Sequence, residues 1–269
     1  MTDQPEAASH LIEADGSMSL RTSDGKLMVA FTDETVATLR RMLTNLMYQA
    51  TLPKRIANVA ALREEGVTYL TLAMAATLAN DLEARICAVE LNWWHPSMHL
   101  YLAGQPPQLR AAQASGRRRK KTPLPNDSIS APPSADIGLA AVLRGTTPLE
   151  QALVPTAQAN LHLLPAGYVP SNARSALARS SELKQLIETL GTQFDYLLLD
   201  MPATTIISDT AALSALASAM TVVVRQGVTP ANTVKETLDE IKHVPVLGVI
   251  LNQVQVATPN WILRMLPQE

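Results

Sequence analysis

Acidic residues stand at the ends of two apolar runs, where they could bind a metal ion. Asp200 directly follows the run Tyr196 to Leu199, and Glu90 and Asn92 lie near the end of the run Arg85 to Leu91. Ligands of open parallel sheets bind beyond the carboxyl ends of the strands, and carboxylate oxygens are preferred ligands of Mg²⁺. We therefore predict a Mg²⁺ site at Asp200, although an acid in this position could also simply end a strand.

A second candidate lies in the turn after the apolar run Ile56 to Ala61. Gly66 and Thr68 follow this run at the start of a segment rich in Ala, Leu and Met. A glycine lets main-chain N–H groups approach phosphate oxygens, and a threonine hydroxyl can bind Mg²⁺. Taken alone, these two residues predict no more than an ordinary turn between a strand and a helix.

Histidine and tryptophan residues cluster just beyond Asn92. His95 and His99 are four residues apart, but a proline separates them and no cysteine or carboxylate cluster accompanies them, so we predict no metal site there. Trp93 and Trp94 are adjacent, and adjacent side chains cannot both face one core in regular structure. We expect one ring to be buried and the other to be exposed or docked on a partner, and the alternative is that both are partly packed.

The elements that must position these residues alternate between helical and strand patterns. The strands are apolar throughout and are separated by helices, which predicts a doubly wound α/β fold with a mostly parallel sheet flanked by helices, in a single domain. The predicted strands are 26–31, 56–61, 85–91, 161–164, 196–199, 221–224 and 246–251, and the predicted helices are about 33–49, 67–80, 182–190, 211–219 and 233–242.

Composition excludes several classes of protein. The 269 residues are 47% hydrophobic and 17% charged with a net charge of −2, which predicts a globular chain without general affinity for nucleic acid. The single cysteine, Cys87, forms no internal disulfide and favours a reducing, cytoplasmic compartment. No stretch reaches the roughly 20 apolar residues of a membrane-spanning helix, so we expect recruitment to a membrane only through a partner or a surface contact.

The segment 104–137 differs from the rest of the chain. It holds six of the eighteen prolines and a net charge of +4, which leaves −6 for the remaining residues. We predict a disordered basic insertion within a domain of residues 31–256, after a flexible arm of residues 1–30 and before a tail of residues 257–269.

The charge of this insertion is concentrated in one basic run. The run consists of Arg117, Arg118, Arg119, Lys120 and Lys121. A solvated linker is the favoured interpretation, and contact with an anionic membrane surface is the alternative. Nucleic-acid binding is disfavoured because no aromatic residues are interleaved with the charges.

Longer motifs resemble a known family. They are FDYLLLDMPA (194–203) with Ser208-Asp209-Thr210, NLHLLPAGYVPSN (160–172), VVVRQGVTP (222–230), VLGVILNQV (246–254), GLAAVLRGTTPLEQAL (138–153) and HPSMH (95–99). These segments resemble the bacterial tyrosine kinases that control capsule and exopolysaccharide synthesis, a group within the ParA/MinD branch of P-loop ATPases. The resemblance covers about residues 33–103 and 138–256 in unbroken order and implies a P-loop NTPase-like domain with possible ATP and Mg²⁺ ligands.

The resemblance implies a Walker A phosphate-binding loop at residues 61–69, where this chain departs from the family pattern. Gly66 and Thr68 are kept, but Glu64 replaces a glycine and Val67 stands at the position of the lysine. The lysine supplies a charge-assisted contact of roughly 1.5–3 kcal/mol, and a carboxylate at Glu64 would face phosphates of the same sign. The loop is therefore predicted to be degenerate.

Other site residues follow from the same resemblance. Asp200 is the Walker B carboxylate and, with Thr68, the implied Mg²⁺ ligand; Asn252 is placed near the nucleotide base. Two acidic residues of the family correspond to Glu90 and Asn92, and an asparagine can neither bind Mg²⁺ as an anion nor accept a proton as a base.

Two further sequence features of the family are only partly present or are absent in this sequence. A Glu-x-x-Arg-x-x-Arg pattern that forms rings corresponds here to Ala37, Arg40 and Leu43, so only Arg40 is kept as a candidate partner contact. The family phosphorylates a C-terminal tyrosine cluster, whereas the last tyrosine of this chain is Tyr196. We therefore expect no tail substrate.

These observations favour a pseudokinase that regulates or scaffolds polysaccharide synthesis by binding a partner, such as a membrane-bound chain-length regulator or synthase, or a second copy of itself in a homo-oligomer. One alternative is an active ATPase or kinase in which Arg63 or Arg225 replaces the lysine. Another is a positioning ATPase of the ParA/MinD type.

Overall fold

The computed structural model describes residues 18–49, 51–107 and 137–253. Within these ranges the strands are β1 (Met18–Arg21), β2 (Leu27–Phe31), β3 (Arg55–Ala60), β4 (Ile86–Glu90), β5 (Val154–Pro155), β6 (Leu161–Leu164), β7 (Tyr196–Asp200), β8 (Ala219–Arg225) and β9 (Val246–Asn252). The α-helices are α1 (Asp33–Gln49), α2 (Val67–Asp81), α3 (Met98–Leu102), α4 (Leu139–Leu143), α5 (Leu149–Ala152), α6 (Arg174–Ala178), α7 (Ser181–Gln193), α8 (Thr210–Ser214) and α9 (Ala231–Glu240).

Seven strands form the central sheet in the order β5-β6-β4-β7-β3-β8-β9. All neighbouring pairs are parallel except β5 and β6, which are antiparallel at one edge. Apolar residues along the central strands are buried on both faces, as parallel sheets covered by helices require. The predicted doubly wound, mostly parallel fold is confirmed.

Two hydrophobic cores lie on opposite faces of this sheet. Ile56 of β3 belongs to the core that α1 and α2 cover, whereas its neighbour Ala57 belongs to the core that α7 covers. Helix α2 contacts both α1 and the sheet, and most of its side chains are buried. This explains why α2 is apolar all round whereas α1, which has one exposed face, is amphipathic.

The N-terminal region corrects one prediction. Residues 18–31 form an antiparallel hairpin of β1 and β2, where the sequence predicted a flexible arm of residues 1–30 with one strand at 26–31. Met18, Leu20 and Met28 are buried in the core beneath α1 and α2. The arm prediction was wrong here because these apolar positions become informative only once the core that buries them is formed.

The predicted helix 211–219 is also shorter than expected. Helix α8 ends at Ser214, and Ala219 already belongs to β8. The other predicted helices, and the predicted strands of the sheet, match the structure to within a few residues. The basic run 117–121, most of the insertion 104–137 and the tail 257–269 lie outside the described residues.

No helix in the described ranges is both long enough and apolar enough to cross a lipid bilayer.

Candidate functional site

A row of buried polar side chains crosses four neighbouring strands of the sheet. Glu90 of β4, Asp200 of β7, Asn58 of β3 and Thr221 of β8 lie in register and are all fully buried. The Asn58 side-chain amide donates to the Thr71 hydroxyl of α2 at 3.0 Å and accepts from Thr221. The polar row therefore faces the N-terminal half of α2.

Glu90 is fully satisfied by main-chain donors. Its Oε1 accepts from the N–H groups of Ser97 at 2.6 Å and Met98 at 2.9 Å, and its Oε2 accepts from Ala166 at 3.0 Å. Burial raises the pKa of Glu90, and these three hydrogen bonds oppose that shift. The carboxylate joins the segment after β4 to the segment after β6, so it has a clear structural role.

Asp200 has the same burial and the opposite hydrogen bonding. Neither of its carboxylate oxygens has a hydrogen-bond partner of normal geometry among the described residues. Burial, and then the charge of Glu90, raise the pKa of Asp200 well above its usual value, while the nearby Thr68 hydroxyl opposes the shift. Because buried polar groups are almost always paired, an orphaned carboxylate at a strand end fits a missing ligand.

The groups around Asp200 fit Mg²⁺. Thr68 lies in the first turn of α2, and its hydroxyl accepts a hydrogen bond from Ser97 Oγ at 2.8 Å. Carboxylate and hydroxyl oxygens are the hard donors that Mg²⁺ prefers. Asp200 and Thr68 would hold the ion, which would supply positive charge beside bound phosphate oxygens.

The loop between β3 and α2 leads directly into the N-terminus of α2. Glu64 and Gly66 have left-handed conformations, with φ of 63° and 90°. The N-terminus of α2 has no side-chain cap, so its first N–H groups face outward without an intrahelical partner. The left-handed φ favours glycine at position 66, and a Cβ atom there would lie 2.2 Å from Asn252 Nδ2, so the Asn252 side chain would have to shift.

The side chains of this loop supply little positive charge for a phosphate. Val67, at the position that the resemblance assigns to a lysine, is partly buried and packs against the core formed by α1, α2 and the sheet. The Glu64 carboxylate is exposed at the loop, and Arg63 is the only basic residue of the sequence segment 61–69. The loop thus offers N–H groups to an anion but places no lysine beside it.

Glu65 is a site residue that the sequence did not reveal. Although it lies in the loop it is only 2% exposed, and its carboxylate accepts hydrogen bonds from Leu62 N–H at 3.1 Å and from the Thr229 hydroxyl. Its carbonyl oxygen accepts from Asn252 Nδ2 at 2.7 Å. Glu65 therefore fastens the loop to the ends of β8 and β9, and no local pattern could have indicated partners so distant in sequence.

The structure brings most of the predicted site residues together, but Asn92 forms a local turn instead. Gly66, Thr68, Glu90, Asp200 and Asn252 all contact the loop, α2 or the polar row. The remaining candidate, Asn92, closes a local turn: its Nδ2 donates to His95 O and its Oδ1 accepts from His95 N, both at 3.1 Å.

The two adjacent tryptophans differ in burial, as expected, but the assignment of Trp93 as a partner contact is wrong. Trp93 is 1% exposed and donates its Nε1–H to Ala166 O at 3.0 Å, so it cannot be a partner contact on this surface. Trp94 is half-buried, with its ring centroid 6.4 Å from that of Trp93. Only Trp94 remains available for a partner.

Arg40 has a partner within its own chain. Its guanidinium forms a bidentate pair with Asp81 of α2, with N···O distances of 2.7 and 2.8 Å. This pair accounts for Arg40 as a link between α1 and α2. The predicted role of Arg40 in assembly stays a prediction.

Comparisons with known proteins show what the chain is similar to in sequence and in fold. No protein-family model matches the chain. Two curated relatives are tyrosine-protein kinases: CpsD of Streptococcus pneumoniae serotype 4 is 30% identical over 126 residues, and wzc of Salmonella typhimurium is 32% identical over 119 residues. The alignments cover 46% and 44% of this chain, but only 55% of CpsD and 16% of wzc. The chain therefore spans about half the length of the first relative and much less of the second.

Solved structures show the same fold at low sequence identity. The chimeric protein CapA2B2 has a TM-score of 0.66 and 18% identity, covering 81% of this chain and 84% of that one. The kinase domain of the Escherichia coli tyrosine kinase ETK has a TM-score of 0.64 and 17% identity, covering 83% and 79%. MinD of Pyrococcus horikoshii, solved with Mg-ADP, has a TM-score of 0.54 and 19% identity, covering 77% and 73%. The chain thus resembles bacterial tyrosine kinases in sequence and has the fold of the P-loop ATPases.

Proposed function

We propose that this chain is a pseudokinase, a degenerate relative of bacterial tyrosine kinases that acts by binding a protein partner. The observation that carries the proposal is Val67, which packs against the core where a lysine would reach the phosphates. Loss of that contact costs roughly 1.5–3 kcal/mol in phosphate binding, and phosphoryl transfer depends on such positive charge for its electrostatic stabilisation. The exposed carboxylate of Glu64 adds repulsion at the same loop.

The acidic residues near the loop support the same proposal. Catalysis of phosphoryl transfer uses a carboxylate to orient or deprotonate the attacking group. Both oxygens of Glu90 accept main-chain hydrogen bonds, and Asn92 closes a turn and cannot act as a base. Asp200 alone keeps an unpartnered carboxylate, which fits a metal ligand better than a complete set of catalytic groups.

We infer the biological setting from the relatives. By resemblance to bacterial tyrosine kinases, the chain would regulate or scaffold capsule or exopolysaccharide synthesis or export in the cytoplasm. Its partner would be a membrane-bound chain-length regulator or synthase, or a second copy of the chain. Trp94 is a candidate anchor for such a partner, and the basic run 117–121 is a candidate contact with anionic lipid.

Calorimetry and phosphate release test the proposal directly. The wild-type protein should bind MgATP weakly and release no phosphate above background. The double substitution Val67→Lys with Glu64→Gly should raise the affinity by roughly tenfold or more, because it restores a charge-assisted contact and removes a repulsion. Adding Asp200→Ala to that variant should remove the Mg²⁺ dependence of binding.

The opposite result is equally clear. Tight MgATP binding by the wild type, with turnover that Asp200→Ala abolishes, would reject the pseudokinase. A double variant that folds but gains no affinity would show that the rest of the pocket is also lost.

A second candidate, an active nucleotide-binding enzyme, is favoured by the orphaned Asp200 beside Thr68, which fits Mg²⁺. Two solved proteins of similar fold contain ADP and magnesium. In this case Arg63 would supply the cation at the loop. Arg63→Gln should then abolish phosphate release, whereas Arg41→Gln on the exposed face of α1 should not.

A further inference from the structure

A cavity of about 760 Å³ lies beside the polar row, between the segment after β4 and the segment after β6. Its walls are mainly apolar and include Trp93, Leu100, Leu102, Ile137, Val154 and Val169. The volume is within the range of roughly 300–1,000 Å³ that is typical of small-molecule sites. The cavity could therefore bury most of a molecule of moderate size.

The charged groups at the cavity are mostly basic. Arg63 and Arg174 line it, and neither forms an ion pair among the described residues. Arg174 Nε donates to Val169 O at 3.1 Å, which fixes this guanidinium against the wall. Among the described residues of the lining, Glu90 is the one acid, and its two oxygens already accept three main-chain hydrogen bonds.

Apolar walls combined with unpaired arginines define the chemistry of the occupant. Apolar surface alone would favour a neutral hydrocarbon, and arginines alone would favour a small anion such as phosphate. We propose that the cavity binds a small amphipathic anion, with its apolar body against Leu100, Leu102 and Ile137 and its phosphate or carboxylate head group at Arg63 and Arg174. Guanidinium groups suit both head groups because their paired N–H donors match two acceptor oxygens.

This inference does not depend on nucleotide binding. Gly66, Thr68 and Asp200 do not line the cavity. Arg63, however, belongs to the loop before α2 as well as to the cavity wall, so an anion bound here would sit next to the loop. Ligand binding and the state of the loop would then be coupled through one side chain.

A series of ligands with one tail and different heads tests the proposal on the intact chain of 269 residues. Dodecyl phosphate, dodecanoate and dodecyl maltoside are titrated below their micelle-forming concentrations, and inorganic phosphate is titrated in parallel. Calorimetry measures the affinity of each ligand. We expect at least one of the two anionic amphiphiles to bind at least tenfold more tightly than dodecyl maltoside. Inorganic phosphate alone should not bind.

The preference between the two anions identifies the source of the head group. Tighter binding of dodecyl phosphate would indicate a phospholipid or lipid phosphate, and tighter binding of dodecanoate would indicate a fatty acid or a related carboxylate. Saturable binding of neither anion, or equal binding of all three amphiphiles, would overturn the proposal.

Matched variants locate the binding. Arg174→Gln should weaken the anionic ligands by roughly tenfold because one charge-assisted contact is lost, and Arg41→Gln should leave them unchanged. Ile137→Glu, at a rim residue that is 48% exposed, should also weaken binding, whereas Val249→Glu, at an equally exposed residue of edge strand β9, should not. Folding is checked by circular dichroism, and binding that survives both cavity variants would place the ligand elsewhere and reject the cavity.

Discussion

Glu90 and Asp200 end neighbouring strands of one sheet, face the same helix and are equally buried, yet their surroundings differ completely. Glu90 accepts three main-chain hydrogen bonds from two different segments. Asp200 accepts none of normal geometry from the described residues. Two carboxyl groups at adjacent positions of the sheet thus differ in role. Glu90 anchors two segments of the fold, whereas Asp200 is available to bind a ligand.

The difference separates the parts of the site that maintain the fold from those that could serve function. Removing an anchor leaves buried N–H donors without acceptors, which destabilises the protein. Removing an open, desolvated carboxylate relieves an unfavourable burial and destabilises only the ligand complex. Stability measurements on matched variants can therefore test which description applies to each residue.

The largest effect is expected for Glu90→Ala. Three N–H groups, of Ser97, Met98 and Ala166, would lose their acceptor, and we expect the free energy of unfolding to fall by roughly 3 kcal/mol or more. Urea denaturation measures the change. Glu90→Gln keeps one acceptor oxygen and should lose less, so equal losses in the two variants would contradict the anchoring role.

A smaller effect of opposite sign is expected for Asp200→Asn. The folded-state pKa of Asp200 is raised above its unfolded value near 3.8, so the folded protein binds the proton more tightly than the unfolded chain. The corresponding stability is fully present below that value and is lost as the pH rises toward the folded-state pKa, with a slope of up to about 1.4 kcal/mol per pH unit.

Asp200→Asn should remove this contribution. The variant should match the wild type near pH 4 and become the more stable protein as the pH rises, as measured by urea unfolding at a series of pH values. Because the charge of Glu90 raises the pKa of Asp200, the difference between the two proteins reports the titration of this pair. Parallel stability curves for the two proteins would mean that Asp200 is not the group that titrates.

The smallest effect is expected from Mg²⁺ without nucleotide. If Asp200 and Thr68 bind the ion, Mg²⁺ at about ten times its dissociation constant should stabilise the wild type by roughly 1.4 kcal/mol. Asp200→Asn should lose this stabilisation, and Ca²⁺ serves as a comparison for selectivity. Equal stabilisation of the wild type and the variant would place the metal ion elsewhere.

Much of the fold could be predicted from periodicity. The apolar runs at 161–164 and 196–199 coincide with β6 and most of β7, because a strand buried on both faces needs apolar residues at every position. The short elements α3, α4 and α5 were not predicted, since a single turn of helix carries too few residues to show a period. Of the hairpin 18–31, β2 was predicted but β1 was missed, because its apolar residues are stabilised by contacts with the core beneath α1 and α2.

The candidate site was predictable in part for the same reason. Asp200, Glu90 and Thr68 follow strands or begin a helix, so their clustering at one edge of the sheet follows from the topology of parallel sheets. Asn58 was overlooked although it is the only polar side chain between Ile56 and Ala60. A polar residue inside a fully buried strand is a signal that it has partners, here Thr71 and Thr221.

By itself, the sequence determined most of the elements, their alternation, and the presence of Val67 before the helix and of Asp200 after the strand, because these depend on residue type and local spacing. Only the tertiary structure decided what each acid does. Whether a buried carboxylate is satisfied depends on donors that arrive from distant segments, such as Ala166 for Glu90 and Thr229 for Glu65. The cavity beside Trp93 likewise exists only where two segments after different strands leave a gap, which no local pattern encodes.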